Sequence, residues 1–335
     1  MAGASAWLGG RRVLVTGAAG SVGWPLARAL ANARPAALVL VDHHEHSLFT
    51  LERSLGAAST GLVYELLDVR DTRRLSRLFE SHRPEVVFHL AAAKHVPYGE
   101  RFPEGVVDAN VLATAALLRL AHSTGTETVV YPSSDKSVAP PSLYGATKRL
   151  GEGQVQWWAT AGRRGLVVRF VNIIGTRGSV IETFVQQVLA GRPLSVTDER
   201  MTRFWITLQQ GVDFVFDNFK RMHGGEIFVP KIPSSRITDL ADAIAPGLPH
   251  KVIGIRPGEK LHEVMCPRDD YHLTVEFPQH YVIKPSIIMG FQVDYATSKT
   301  SEASKPVVED FEYSSGTNPH FLSVAEIRHL LEVGA

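Results

Sequence analysis

Short apolar runs alternate with stretches of helical periodicity along the first half of the chain. The apolar runs have the length and composition of buried strands, and they fall at residues 12–16, 37–41, 62–67, 86–90, 128–131 and 166–170. Stretches in which apolar residues recur every three or four positions lie at residues 73–82, 106–122 and 144–161. This alternation predicts an α/β fold, a doubly wound parallel sheet with helices on both faces. After residue 170 the alternation weakens, which indicates a smaller α/β region in the second half.

The first apolar run leads into a glycine-rich turn that opens a helical stretch. Gly17, Gly20 and Gly23 are spaced G-x-x-G-x-x-G, with Ser21 and Val22 between the last two. Small residues at such a turn let the backbone approach a pyrophosphate at the helix N-terminus. The turn therefore predicts a dinucleotide-binding site.

Asp42 ends the second apolar run, about 20 residues after the glycine turn, where a carboxylate binds ribose hydroxyls and repels a 2′-phosphate. The sequence thus predicts NAD, with NADP as the alternative because His43, His44 and His46 follow Asp42. No matching carboxylate or cysteine cluster accompanies these histidines. We therefore interpret them as surface residues and predict no metal site.

The candidate chemistry lies after the fifth apolar run, in the segment PSSDKSVAPPSLYGATKRLGE at residues 132–152. Tyr144 and Lys148 are four residues apart, so on a helix they share one face. An ammonium beside a phenol favours the phenolate and lowers the pKa of the phenol. Tyr144 would then act as a base, and Ser134 would hydrogen-bond the same substrate oxygen. The spacing Y-x-x-x-K alone is also typical of an ordinary exposed helix start.

Composition narrows the class of protein. The chain has 335 residues and a formal net charge of +1, which argues against binding to nucleic acid or to an anionic membrane. Its single cysteine, Cys266, excludes an internal disulfide framework and is typical of a reducing compartment. No apolar run approaches the ~20 residues of a membrane span, and the N-terminus lacks the apolar core of a signal peptide. We therefore expect a cytoplasmic protein.

Several motifs together carry a resemblance to a known enzyme family. The segments TGAAGSVG, DVRD, LAAA and YGATK resemble the extended short-chain dehydrogenase/reductases, which have a Rossmann fold. Residues 93–97, 134–136, 200–207, 221–231, 254–264 and 310–317 resemble the UDP-N-acetylglucosamine 4,6-dehydratases. Among these, the chain is most similar to the short C-5-inverting enzymes of pseudaminic acid synthesis.

The resemblance implies a tightly bound nicotinamide cofactor that is reduced and reoxidised within each turnover. Tyr144, helped by Lys148, would deprotonate the C-4 hydroxyl of the sugar. Asp135 would protonate the departing C-6 hydroxyl. Lys136 would take the C-5 proton and must then be a neutral amine, which burial or a nearby cation would arrange. The related sugar-nucleotide 4,6-dehydratases generally have Glu at the position of Lys136.

The resemblance also implies further contacts to both ligands. Cofactor contacts beyond the glycine turn and Asp42 are expected at Asp68, Val69, Ala91, Ala92 and Asn110. Contacts to the substrate, UDP-N-acetylglucosamine, are expected at Lys94, Asn172, Arg177, Val196, Thr197, Arg203, Arg256 and Glu259. The arginines at 203 and 256 are the candidates for the diphosphate, because a guanidinium fork gives bidentate, charge-assisted bonds.

On this interpretation residues 1–172 form an NAD(P)-binding domain with the catalytic residues, and residues 173–335 form a sugar-nucleotide-binding region interleaved with it. The family implies a homo-oligomer, from dimer to hexamer. Polar, Gly and Pro residues at 297–318 indicate a surface loop or a subunit arm.

Three alternatives remain open at this point. A C-5-retaining 4,6-dehydratase is favoured by Asp42, because the retaining branch uses NAD. A UDP-sugar 4-epimerase would use Tyr144 and Lys148 but would not need Asp135 and Lys136. A non-catalytic nucleotide-binding protein would bind both ligands without turnover.

Overall fold

Strands and helices alternate through the first half of the chain, as the apolar pattern predicts. The structure is a computed structural model that describes residues 7–56, 61–176, 178–287 and 293–334. The strands of the first half are β1 (Arg12–Thr16), β2 (Ala37–Asp42), β3 (Leu62–Leu66), β4 (Val86–His89), β5 (Thr128–Ser134) and β6 (Arg164–Phe170). Its helices are α1 (Gly23–Asn32), α2 (Glu45–Leu55), α3 (Thr72–His82), α4 (Val96–Arg101), α5 (Pro103–Val107), α6 (Ala113–Ser123) and α7 (Leu143–Ala159).

The second half contains shorter strands and fewer long helices. Its strands are β7 (Asn172–Ile174), β8 (Leu194–Val196), β9 (Thr202–Thr207), β10 (Ile227–Pro230), β11 (Ser234–Arg236), β12 (His250–Val252), β13 (Val264–Cys266), β14 (Thr274–Glu276), β15 (His280–Ile283), β16 (Lys305–Pro306) and β17 (Tyr313–Ser314). Its helices are α8 (Val180–Leu189), α9 (Leu208–Arg221), α10 (Ile237–Ile244) and α11 (Val324–Gly334).

A ten-stranded sheet in the order β16-β14-β15-β10-β6-β5-β4-β1-β2-β3 forms the centre of the molecule. Strands β10 to β3 in this order pair in parallel, whereas β15, β14 and β16 extend the sheet in antiparallel pairs. The α/β fold with a doubly wound, mostly parallel sheet is thus confirmed. Ligands of such sheets bind beyond the carboxyl ends of the strands, which is where the predicted site residues of the first half lie.

Both halves of the chain contribute strands to this one sheet, because β10, β14, β15 and β16 come from the second half. A second apolar cluster packs around α8, α10 and α11, with Phe184, Leu194 and Trp205 at its centre. The division at residue 172 therefore remains a prediction about which half binds which ligand. Within the described residues, no helix combines the length and the apolar character that crossing a membrane requires.

The helical stretch predicted at residues 106–122 is present, but it is not α-helical throughout. The structure has a π-helical segment, Asp108–Leu112, between α5 and α6. This segment contains Asn110, whose side chain is almost fully buried. A π-bulge inserts one residue without changing the apolar period on either side, so the periodicity did not reveal it.

The surface loop predicted at residues 297–318 is wrong at its C-terminal end. Tyr313 is buried, and its hydroxyl both accepts from the N–H of Ile232 and donates to the carbonyl of Ile232, each at 2.9 Å. The Tyr313 ring packs against Phe204 and Tyr281, with centroids 4.8 and 5.1 Å away. This segment therefore belongs to the core despite its polar composition.

Candidate active site

A cavity of about 1180 Å³ opens at the carboxyl ends of β1, β2, β4 and β5. Its lining extends from the glycine turn after β1 to residues of the second half that include Arg203, Arg256 and Glu263. Pockets for one small molecule usually measure roughly 300–1,000 Å³. The volume is therefore sufficient for two ligands at once.

The glycine turn forms one end of this cavity. A Cβ on Gly23 would lie 2.1 Å from the carbonyl oxygen of Gly17, so any larger residue would push the turn apart. Val22 occupies the N-cap of α1 and supplies no side-chain acceptor to its N–H groups. Gly17, Gly20, Ser21, Val22 and Gly23 all line the cavity. A closely packed turn before an uncapped helix N-terminus fits a pyrophosphate.

Asp42 lies beside that turn and is held rigidly. Its Oδ2 accepts a hydrogen bond from the N–H of Ala19 and its Oδ1 accepts one from the N–H of His44, each at 3.0 Å. The carboxylate is buried yet lines the cavity. Four further residues expected at the cofactor also line it: Asp68, Val69, Ala91 and Ala92. These residues together fit a dinucleotide.

Asn110 is not among the residues that line the cavity, and its assignment to the cofactor remains a prediction. Its side-chain oxygen accepts from the N–H of Ala93 at 2.8 Å. Its amide donates to the carbonyl of Ala93 at 2.9 Å and to Thr147 Oγ1 at 3.0 Å. Asn110 therefore fixes the loop after β4 to α7 and shapes the wall of the cavity.

The turn after β5 carries three of the predicted catalytic residues. Ser134 Oγ donates to Asp135 Oδ1 at 2.7 Å, and Lys136 Nζ donates to the same oxygen at 3.0 Å. Ser134 and Lys136 line the cavity, whereas Asp135 is fully buried behind them. Asp135 Oδ2 has no hydrogen-bond partner within the described residues.

The charge state of Lys136 differs from the neutral amine that burial was expected to produce. Desolvation does lower the pKa of Lys136, but the carboxylates of Asp135 and Glu263 outweigh it and the net pKa is raised. Lys136 Nζ lies 3.0 Å from the first and 3.6 Å from the second. Without ligands, Lys136 is therefore an ammonium.

Helix α7 brings Tyr144 to the same turn. Ser142 caps the helix by accepting from the N–H of Gly145 at 3.2 Å. A Cβ on Gly145 would lie 2.1 Å from the carbonyl oxygen of Lys136, so a glycine is required where the helix touches the turn. Tyr144 and Lys148 are both buried in the cavity wall, on one face of α7.

The predicted effect of Lys148 on Tyr144 is wrong in this state. Burial raises the pKa of Tyr144, and Asp135 adds to it, while Lys136 and the hydrogen bond with Ser134 oppose it. Lys148 Nζ instead donates to the carbonyl of Pro132 at 2.8 Å and lies 4.5 Å from the ring centroid of Tyr131. The spacing placed the ammonium on the correct face without revealing its partner.

Lys148 itself gives a pH-dependent prediction. Burial lowers the pKa of Lys148 to about 8, against an opposing effect of Glu152. Between about pH 8 and pH 10.5 Lys148 is then protonated in the unfolded chain and neutral in the folded chain, so its contribution to the stability of the wild type rises with pH. We expect the free energy of unfolding of Lys148→Met, minus that of the wild type, to fall across this range. Urea unfolding at a series of pH values measures the difference.

Lys251→Met is the matched control, because Lys251 is exposed on β12. Its difference from the wild type should stay flat over the same range. A flat difference for Lys148→Met as well would mean that the folded state does not depress the pKa of this lysine.

A buried ion pair that the sequence analysis missed supports the catalytic turn. Glu152 accepts from Ser133 and Ser137, each at 2.7 Å, and from Arg169 Nε at 2.8 Å and Nη2 at 2.9 Å. Arg169 Nη1 donates to the carbonyl of Met265 at 2.7 Å. The pair therefore joins the turn, α7, β6 and β13 in one network. Glu152 lies within the segment at residues 132–152, but the residues around it do not indicate that Arg169 is its partner.

Most of the expected substrate contacts lie around the other end of the cavity. The residues that line it are Lys94, Asn172, Thr197, Arg203, Arg256 and Glu259. Val196 does not line it: its side chain is buried in the second apolar cluster, and its carbonyl accepts from Ile253. Arg177 lies outside the described residues.

The two arginines expected to bind a diphosphate differ in availability. Arg203 donates through Nη1 to the carbonyls of Thr202 and Leu261, and through Nη2 to that of Lys260. Its guanidinium is thus largely used to hold the chain segment at residues 260–261. The guanidinium of Arg256 is exposed at the rim and pairs with Glu259. Arg256 is therefore the better placed of the two to turn toward a ligand.

The histidines after β2 are exposed, and His43 and His44 also line the cavity. His43 is exposed, and His44 caps α2 by accepting from the N–H of Ser47 at 3.2 Å. In the described ranges, no three His, Cys, Asp or Glu side chains are grouped in a way that would hold a metal ion.

Comparison with known proteins places this site in a family. Residues 13–285 match the family described as polysaccharide biosynthesis protein. A UDP-N-acetylglucosamine 4,6-dehydratase (inverting) of Campylobacter jejuni is 40% identical over 329 residues, which cover 96% of this chain and 97% of that protein. A UDP-glucose 4-epimerase of Rickettsia conorii is 32% identical and covers 81% of this chain and 80% of its own.

The fold has close structural counterparts as well. The X-ray structure of Pen from Bacillus thuringiensis superposes with a TM-score of 0.86 at 27% identity and covers 98% of both chains. The family match and the near full-length similarity to the dehydratase agree with the geometry of the cavity. The chain belongs to the polysaccharide biosynthesis protein family, together with the inverting UDP-N-acetylglucosamine 4,6-dehydratases.

Proposed function

We propose that this protein is a UDP-N-acetylglucosamine 4,6-dehydratase that inverts C-5 and yields a UDP-4-keto-6-deoxy-N-acetylhexosamine. The observation that carries the proposal is Lys136, which lines the same cavity as Tyr144 and donates a hydrogen bond to the buried Asp135 directly behind it. An epimerase needs a group for the C-4 hydroxyl alone, whereas a dehydratase needs two more for C-5 and C-6. The 40% identity to dehydratases bearing this name supports the same choice.

Tyr144, Lys136 and Asp135 each carry out one of the proton transfers. A bound nicotinamide supplies reversible two-electron oxidation, and the glycine turn, Asp42 and Lys148 would hold it. Tyr144 takes the proton of the C-4 hydroxyl, for which its raised pKa must fall once the ligands are in place. The ketone at C-4 then acidifies the proton at C-5, which Lys136 removes. Asp135 protonates the departing C-6 hydroxyl, so that water leaves. The hydride lost from C-4 is returned at C-6, C-5 takes up one proton, and Tyr144 gives up the one that it accepted.

The Asp135–Lys136 pair accounts for its own protons. Elimination begins with a neutral amine and a carboxylic acid and ends with an ammonium and a carboxylate, whose Nζ and Oδ1 lie 3.0 Å apart in the structure. Moving one proton from Lys136 Nζ to Asp135 Oδ1 along this hydrogen bond restores the starting pair. Closure of the cavity by ligands favours the neutral form, because it removes water from both charges.

The remaining parts of the proposal concern the setting of the enzyme. We assign NAD as the cofactor, tightly bound and recycled, because the Asp42 carboxylate faces the cavity. Leu150 and Trp157 are 56% and 69% exposed on α7 and offer an apolar face to the proposed homo-oligomer. A single cysteine is consistent with the proposed cytoplasmic location.

Incubation with UDP-N-acetylglucosamine in heavy water tests the function. NMR of the product should show a ketone at C-4, a methyl group at C-6, deuterium at C-5 and the inverted configuration at C-5. A product of unchanged mass that differs only at C-4 would make the protein an epimerase. Retention at C-5 would place it with the retaining dehydratases, and binding without turnover would make it a non-catalytic protein.

Asp42 gives a separate prediction about the cofactor. We expect the wild type to bind NAD more tightly than NADP, and Asp42→Asn to narrow the difference, because the carboxylate repels a 2′-phosphate. Calorimetric titration with NAD and with NADP measures this difference in affinity. Glu45→Gln removes the same charge from an exposed neighbour and should leave the ranking unchanged. Tighter NADP binding by the wild type would refute the assignment.

A further inference from the structure

Glu263 is a buried carboxylate in the cavity wall for which the steps above have no role. It precedes β13, is 2% exposed and lines the cavity. Its Oε1 lies 3.6 Å from Lys136 Nζ and 3.7 Å from Arg203 Nε. Its Oε2 is buried and has no hydrogen-bond partner in the part of the chain that the structure describes.

The backbone of Glu263 is held by the C-terminal motif that the sequence analysis assigned to a surface loop. Its N–H donates to Ser315 Oγ at 2.9 Å, and its carbonyl accepts from the N–H of Ser315 at 2.8 Å. Ser315 Oγ also lies 2.7 Å from Thr202 Oγ1. Next to it, Val264 pairs with Ser314 in the β13–β17 ladder. Ser315 is fully buried, so this clamp is part of the core.

Lys136 thus lies between two carboxylates on different sides. Asp135 is behind it, away from the cavity, whereas Glu263 is in the cavity wall. An ammonium paired with Asp135 alone would be drawn out of the cavity, and the second carboxylate counteracts that pull. The described charged or titratable groups that act on Lys136 are Asp135 in its own turn, Tyr144 on α7, Arg203 on β9, and Lys260 and Glu263 in the segment before β13.

We propose that Glu263 is a positioning residue for the dehydration: its carboxylate keeps Lys136 Nζ at the cavity surface, and Ser315 fixes Glu263 there. This inference rests on the proposed dehydratase activity. Glu263 takes no proton in the reaction. The proton still passes between Lys136 and Asp135, and Glu263 sets how readily it does so.

The pH profile of kcat distinguishes this role from a purely structural one. The active pair shares one proton, which Asp135 gives to the C-6 hydroxyl, so kcat falls at high pH as the pair loses that proton to solvent. Glu263→Gln removes a negative charge near Lys136, so this limb should move to lower pH by about one unit or more. The plateau of kcat should fall about tenfold or more because Nζ is no longer held in place, while KM changes little.

Matched variants make the result specific. Glu263→Asp keeps the charge, so the pH dependence of its kcat should resemble that of the wild type. Ser315→Ala should move the pH dependence of kcat in the same direction as Glu263→Gln, but by a smaller amount. Glu309→Gln makes the same chemical change at an exposed residue of the C-terminal segment and should change nothing. If the pH dependence of kcat is unchanged in Glu263→Gln, or if KM rises while kcat stays constant, the proposal is overturned.

A second measurement needs no turnover. NMR of protein labelled with ¹³C-lysine follows the titration of Lys136, whose signal is identified by its loss in Lys136→Arg. It should titrate at lower pH in Glu263→Gln than in the wild type, and an unchanged titration would overturn the inference. If the wild type forms no keto sugar, the proposed function fails, and this titration still decides whether Glu263 controls Lys136.

Discussion

Lys136→Ala is expected to abolish water loss from UDP-N-acetylglucosamine while leaving nucleotide binding intact. The side chain removes the C-5 proton, and a positioned acid or base of this kind contributes about 10²–10⁴-fold to rate. The alanine variant also removes the group that returns a proton to Asp135 after each elimination. Mass spectrometry of the products measures dehydration, and calorimetry with UDP and NAD measures binding.

Asp135→Asn should show the same loss of dehydration, because an amide preserves the shape of the side chain and cannot give up a proton in its place. Lys251→Ala on the exposed edge of β12 removes a lysine outside the cavity lining and should react at the wild-type rate. Unchanged product formation by Lys136→Ala would remove this residue from the mechanism.

Arg169→Met is expected to lower the free energy of unfolding by about 3–5 kcal/mol, the usual cost of leaving one member of a buried ion pair uncompensated. Glu152 has no exposed surface, and Arg169 makes two of its four hydrogen bonds. Burial raises the pKa of Glu152, but Arg169 and the two serines outweigh it and the pKa is lowered. The stabilisation is therefore present at neutral pH and is lost as the pH falls through this lowered pKa.

Urea unfolding at pH 7 measures the loss, and the double variant Arg169→Met/Glu152→Gln is its internal test. Removing both charges should recover part of the stability, because no charge then remains buried without a partner. A double variant no more stable than Arg169→Met would show that Arg169 stabilises the fold through its bond to Met265 instead.

The sequence predicted those parts of the site that depend on short spacings. The glycine turn and Asp42 were predictable because they follow two successive strands, β1 and β2. Asp135, Lys136 and Tyr144 were predictable because they lie in one turn and the helix that follows it. The approach of Gly145 to Lys136 follows from the same local geometry.

Contacts between distant residues were not predictable in this way. Glu263 lies in the family motif at residues 254–264, but its pairing with Lys136 depends on how β13 and β17 pack against the catalytic turn. The same applies to Arg169, which appears in the sequence as one residue of an apolar strand. Tyr313 and Ser315 were assigned to a surface loop because their neighbours are polar, and polar composition does not reveal a buried two-residue strand.

The clamp of Ser315 on Glu263 has a consequence for the order in which the protein becomes functional during its synthesis. The glycine turn, Asp42 and the catalytic turn leave the ribosome long before Ser315 does. At about 5–20 residues per second, the roughly 180 residues between Lys136 and Ser315 take on the order of 10–40 seconds to add. The nascent chain therefore contains its glycine turn, Asp42 and its catalytic turn well before the segment that positions Lys136 has been synthesised.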